Sequence, residues 1–216
     1  MKVAPSIIAA DFTKLKSEIR KIEKAGADLI HLDIMDGVFV PNITFGPMIV
    51  ETIRKMTDLE LDAHLMIVNP EKYCERFIKA GVRWISFHVE TVPDAKKCIR
   101  TIRQRKCRAG IAVNPETSLR KIMPFVRDLD FLLIMTVHPG FYGQKFIPGV
   151  LKKIEQARHF IDKNNLRCLI QVDGGINEVN ARIVARAGAD ILVAGAGVFK
   201  TKDYKKAIEV LKCSRI

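Results

Sequence analysis

A short apolar run followed by a stretch of helical spacing, repeated along the whole chain, is the feature that most constrains its fold. The apolar runs that read as strands cover 3–8, 29–35, 61–66, 84–88, 108–113, 131–137, 169–172 and 191–194. Helical spacing occupies about 14–25, 47–56, 70–81, 93–106, 118–125, 148–163, 178–187 and 204–211. In the first of these Leu15, Ile19 and Ile22 share one face and Gly26 stops the helix. Strict alternation of strand and helix demands a parallel sheet with helical crossovers. Eight such units in 216 residues close naturally into one (β/α)8 TIM barrel, expected to form a single domain over 1–216; an open doubly wound sheet has the same local pattern. In a barrel the reacting groups gather at the carboxyl ends of the strands.

The totals agree with a compact globular domain. Apolar residues make up 48% of the chain, yet no run approaches the roughly 20 apolar residues that span a bilayer. Met1-Lys2 runs straight into the first strand without the apolar stretch of a signal peptide, so the expectation is a cytoplasmic protein with no membrane partner. Cys74, Cys98, Cys107, Cys168 and Cys213 are odd in number and lack a Cys-x-x-Cys pair, which reads as free thiols and argues against a thiolate zinc site. The net charge of +12 raises nucleic acid as a partner. Its carriers sit mostly on predicted helices, partly mixed with acids and without interleaved aromatics, so solvated helical faces are the reading and no nucleic acid is expected.

Chemistry collects at the strand ends. On the second strand His31, Asp33 and Met35 point one way while Leu32, Ile34 and Asp36 point the other. A His-x-Asp pair alone is more often an incidental strand end than a ligand pair. Partners elsewhere change the weighing: Ser6 lies on the first strand, His64 on the third and Asp173 follows the seventh, with Met66 sharing the face of His64 and Met135 ending the sixth strand. Two histidines and two aspartates, His31, Asp33, His64 and Asp173, suit one divalent ion such as Zn²⁺, Fe²⁺, Mn²⁺ or Co²⁺ and leave positions for substrate oxygens. His88 is read as structural and stays outside this group. Glycine-rich turns at 139–144, 173–177 and 195–197 let backbone N–H groups approach an anion, and barrels commonly hold phosphate after their late strands.

The runs Ala4-Pro5-Ser6-Ile7, His31-Leu32-Asp33-Ile34-Met35-Asp36-Gly37, His64-Leu65-Met66, Met135-Thr136-Val137 with Pro139-Gly140-Phe141, Gly143-Gln144-Lys145-Phe146, and Val172-Asp173-Gly174-Gly175 resemble the ribulose-phosphate 3-epimerase family, in order and over nearly the whole chain. The resemblance implies a metal-dependent isomerase of the pentose phosphate pathway that epimerises carbon 3 of a ketose phosphate, D-ribulose 5-phosphate to D-xylulose 5-phosphate, through a metal-stabilised enediolate. It assigns Asp33 and Asp173 as the acid/base pair and His31, Asp33, His64 and Asp173 as ligands of one divalent ion. The substrate would meet Ser6, Met35, His64, Met66, Met135, Gly140, Phe141, Tyr142, Gly143, Asp173, Gly174, Gly175, Gly195 and Ala196. A homo-oligomer, dimer or hexamer, is also implied. His138, Tyr142 and Ala196 depart from the family pattern, and Asn114-Pro115-Glu116-Thr117 resembles a sister branch acting on D-allulose 6-phosphate. That hexulose phosphate, an unphosphorylated ketose and a non-catalytic anion-binding barrel are the alternatives.

Overall fold

The computed structural model describes residues 1–215. Its eight strands are β1 Lys2–Pro5, β2 Leu29–Met35, β3 Glu60–Met66, β4 Val82–His88, β5 Arg108–Val113, β6 Phe131–Met135, β7 Leu169–Asp173 and β8 Ile191–Ala194. The helices are α1 Leu15–Lys24, α2 Pro47–Arg54, α3 Cys74–Lys79, α4 Ala95–Gln104, α5 Leu151–Lys163, α6 Ala181–Arg186, α7 Ala196–Phe199 and α8 Tyr204–Lys212. All strand pairs are parallel, in the order β1-β8-β7-β6-β5-β4-β3-β2. A parallel bridge between Ser6 and His31 brings the two ends of this sheet together. Asp28 supports the same seam, since Val3 N–H donates to its Oδ2 at 2.8 Å and its own N–H donates to Val3 O at 2.9 Å. The open doubly wound alternative is thereby excluded, and the fold is a (β/α)8 TIM barrel.

The period-two pattern of each strand divides the core in two. On β2 every residue is buried; Ile30, Leu32 and Ile34 face outward into the large cluster that includes Ile19, Ile22, Val50 and Ile53 from α1 and α2. Inside the barrel, Ala4, Leu29, Trp84, Phe131, Ile191 and Val193 form an apolar floor. Trp84 and Phe131 lie with ring centroids 5.2 Å apart, and the indole N–H donates to Glu60 Oε2 at 2.7 Å. Gly110 leaves room for the Phe131 ring, because a Cβ there would come within 2.4 Å of it. Among the described residues no helix is long and apolar enough to cross a membrane.

Several boundaries differ from the sequence expectations for local reasons. The first strand ends at Pro5 because Ser6 Oγ accepts the Ile8 N–H and starts a 3-10 turn, Ile7–Ala9. The helix expected at 118–125 is replaced by two 3-10 segments, Leu119–Lys121 and Met123–Asp128. Pro124 sits inside that stretch and lacks the N–H that a continuing α-helix needs. The helix expected at 178–187 shortens to α6, since Asn180 Oδ1 accepts the Asn177 N–H and Asn177 Oδ1 accepts the Val179 N–H, holding 177–180 as a turn. The one-turn α7 was not anticipated. Trp84→Ala removes the largest side chain of the barrel floor and should cost about 3–5 kcal/mol, read as a fall in the urea midpoint.

Candidate active site

Register alone gathers the reacting groups. On the paired strands Asp33 lies opposite His64 and Met35 opposite Met66, all on the inward face. His31 Nε2 is 3.5 Å from Asp33 Oδ1 and 3.8 Å from Asp173 Oδ2; His64 Nδ1 is 3.4 Å and 3.7 Å from the same two oxygens. One ligand atom from each of the four residues lies within 4.8 Å of the others, as a single cation requires. His31 Nε2 and His64 Nδ1 are buried and have no hydrogen-bond partner in the protein. Buried nitrogens are rarely left so. Their convergence on two carboxylate oxygens fits a divalent ion, and this donor set of two nitrogens and two oxygens is compatible with all four metals considered above.

Each group is held from behind. Asp62 Oδ2 lies 2.7 Å from His31 Nδ1 and also accepts from Gln171 Nε2 at 2.5 Å. Ser6 O–H donates to Asp33 Oδ2, leaving Oδ1 to face the imidazoles. Thr44 joins the end of β2, donating to Asp33 O at 2.6 Å and accepting from Met35 N–H at 3.0 Å. Asp36, on the opposite face, accepts the Val38, Phe39 and Val68 N–H groups and so shapes the loops after β2 and β3. His88 lies outside the four-residue group, and its Nε2 is 2.8 Å from His64 Nε2.

Among the protein groups alone, burial and charge drive the two acids apart. Burial pushes Asp33 up, but the His31 and His64 imidazoles outweigh it and hold the carboxyl far below its ordinary range. Asp173 is raised to about 7, by burial first and then by the negative charge of Asp33. Burial lowers His64 to about 4 despite its contact with Asp33. Burial also opposes charge on His31, yet Asp62 and Asp33 keep it well above the usual histidine value. Near neutral pH one aspartate is therefore a base while the other retains proton-donating character, the separation that acid/base chemistry on a carbon needs.

Above these groups opens a cavity of about 460 Å³. Ser6, Asp33, Met35, Met66, Met135 and Asp173 line its deep end. Gly140, Phe141, Tyr142 and Gly143 line one wall, and Gly174, Gly175, Gly195 and Ala196 the far end. The structure thus brings every residue assigned to substrate contact to the cavity except His64, which sits behind it and faces the centre through Nδ1. Two glycines are required by close approach: a Cβ on Gly175 would lie 2.6 Å from Phe146 N, and one on Gly197 2.2 Å from Ile176 O. Ile8, Val137 and Lys145 also line the cavity and were not assigned to substrate contact, while Gln144, Asn177 and Gly197 line it within the glycine-rich turns expected to meet an anion.

The three departures from the family pattern separate in space. Tyr142 and Ala196 line the cavity; the Tyr142 ring has Lys200 Nζ 5.6 Å from its centroid. His138 does not line it; it is an exposed residue whose Nε2 is 3.3 Å from Glu116 Oε1. The run 114–117 is also outside the cavity, with Lys153 Nζ donating to the carbonyls of Asn114, Pro115 and Thr117 at 2.9, 2.6 and 2.8 Å.

Comparison with known proteins is consistent with this site. The profile of the Ribulose-phosphate 3 epimerase family matches residues 2–199. A curated ribulose-phosphate 3-epimerase of Bacillus subtilis (strain 168) is 49% identical over 216 residues, covering 100% of both chains. One from Synechocystis sp. is 48% identical, covering 99% of this chain and 94% of its own. A solved 3-hexulose-6-phosphate synthase from Salmonella typhimurium superposes with a TM-score of 0.73 at 15% identity, covering 100% of this chain and 98% of its own, a likeness of fold alone. With a closed parallel barrel, two aspartates and two histidines at its mouth, and full-length relatives of one kind, the chain belongs to the ribulose-phosphate 3-epimerase family, whose members are isomerases of carbohydrate phosphates.

Proposed function

We propose that residues 1–216 act as one catalytic domain that interconverts D-ribulose 5-phosphate and D-xylulose 5-phosphate. The observation that carries this reading is the pair Asp33 and Asp173, brought to one buried centre from β2 and β7 with their proton affinities driven apart. The names of the full-length relatives supply the pentulose phosphate.

Inverting a carbinol carbon beside a ketone requires removal of its proton and return of a proton to the opposite face. Asp33, ionised and oriented by the Ser6 hydroxyl, takes the carbon-3 proton in one direction, and Asp173 delivers one to the other face. In reverse they exchange roles. His31, Asp33, His64 and Asp173 would hold a divalent cation, which would supply positive charge to stabilise the negative charge that develops as the carbon-3 proton leaves. Met35, Met66 and Met135 wall the reacting carbons with apolar surface and exclude water. The glycine-rich turns at the far end, with the first N–H groups of α7, suit the phosphate.

Tyr142 and Ala196 keep D-allulose 6-phosphate as the second reading, since both line the cavity that would have to accept the longer chain. A non-catalytic barrel would have no need of two acids so arranged. Free cysteines fit a reducing, cytoplasmic setting. Exposed Val38, Ile43 and Met48 supply apolar surface that association into a dimer or hexamer would cover.

Metal-loaded protein should show its highest kcat/KM on ribulose 5-phosphate; a clear preference for allulose 6-phosphate or free allulose would move the assignment to that substrate. Asp33→Asn and Asp173→Asn should each lower kcat by about 10²–10⁴-fold or more with the fold retained, measured by steady-state kinetics beside circular dichroism. Because His31 is charged and Asp173 partly protonated near neutrality, loading Co²⁺ should release about one proton or more per ion. Calorimetry in buffers of different ionisation enthalpy reads that number, and release of none would contradict the ligand assignment.

A further inference from the structure

Behind the four ligand-type residues the barrel interior holds further polar side chains, Asp62, Ser86, His88 and Gln171, each fully buried. Two of its hydrogen-bond chains end on the two imidazoles of the centre, by different routes. His31 meets the Asp62 carboxylate directly. His64 meets His88 at 2.8 Å between their Nε2 atoms, and His88 Nδ1 lies 3.2 Å from Glu90 Oε2. We propose that Glu90 is a positioning residue that acts through His88 to set the tautomer of His64, so that the lone pair facing the centre is on Nδ1.

The polarity of the chain follows from donor counting. A carboxylate only accepts, and a neutral imidazole has one N–H and one lone pair. Glu90 therefore places the His88 proton on Nδ1 and leaves a lone pair on Nε2. His64 Nε2 must then be the donor in the bond between the rings. Its lone pair falls on Nδ1, the buried atom without a protein partner that faces Asp33 and Asp173. His31 offers Nε2 instead: Asp62 holds its Nδ1–H, so Nε2 is the nitrogen that gives up its proton when a cation binds. The two histidines thus present different nitrogens to one point.

Glu90 is built to hold this polarity. Its Oε1 accepts the Asn114 N–H at 3.0 Å, and Lys153 fixes the carbonyls of that same loop. With one oxygen engaged by a backbone donor, only a second acceptor can face His88. Glu90→Gln keeps the side chain's shape but has one oxygen. When that oxygen keeps the Asn114 N–H, the amide NH₂ faces His88 Nδ1 and every bond in the chain reverses, ending with a proton on His64 Nδ1 where the cation would bind.

The proposal rests on reading the centre as a cation site, and its test separates the two. Long-range ¹H–¹⁵N spectra of histidine-labelled, ion-free protein should show His64 protonated at Nε2 in the wild type and at Nδ1 in Glu90→Gln. Co²⁺ titrations followed by visible absorbance should show about 10–100-fold weaker binding in the variant. If Glu90 only clamps the Asn114 loop, Glu90→Gln lowers Tm while the His64 tautomer and Co²⁺ affinity stay as in the wild type, and the proposal falls. A wild-type His64 protonated at Nδ1 overturns it as well. Wild-type protein that binds no Co²⁺ would defeat the cation reading instead, with the spectra still deciding the relay.

Discussion

The register between β2 and β3 is the constraint on which the rest of the site depends. It sets Asp33 beside His64, and the Ser6–His31 bridge that closes the barrel sets the first strand against His31. Side chains alternate faces along a strand, so a slip of one residue would turn His64 outward and aim Leu65 at Asp33. The outward faces prevent that slip. Ile30, Leu32 and Ile34 on β2, with Leu61, Ala63 and Leu65 on β3, are all buried against the helices, and a shifted strand would replace them with polar groups. Ordinary hydrophobic burial thus fixes the position of the reacting carboxylates.

Height within the barrel divides the remaining work. The apolar floor around Trp84 and Phe131 excludes water from below. Buried polar groups behind the centre spend their hydrogen bonds on the backs of the imidazoles, and the centre itself has donor atoms left over. A low local dielectric makes charge at this level expensive, which is why one aspartate can be strongly acidic while its neighbour is raised toward neutrality. The same burial that makes the centre costly for the protein makes it effective for moving a proton to and from carbon.

Much of this was legible in the sequence because it depends on period and order. The bounds of β2, β5 and β8 coincide with their apolar runs, and parity on β2 and β3 placed His31, Asp33, Met35, His64 and Met66 on one inward surface. Contacts across strands were less legible. Nothing in the spacing of His64 and His88 says that their Nε2 atoms meet, because that depends on strand twist and rotamers. The asparagine turn at 177–180 and the 3-10 path around Pro124 were missed where side-chain hydrogen bonds and a missing donor overrode helical spacing. The one-turn α7 is too short and too rich in glycine to carry a periodic signal.

The central claim is that two aspartates on opposite sides of one carbon exchange its proton with solvent during inversion. A single turnover of ribulose 5-phosphate by metal-loaded protein in D₂O, with the product read by mass spectrometry and NMR, tests it most directly. The two-acid arrangement of Asp33 and Asp173 leads to xylulose 5-phosphate carrying deuterium at carbon 3, because the delivering acid is not the one that received the substrate's proton. Product that retains the original protium at carbon 3 would mean that one group carries the proton across, and would contradict it.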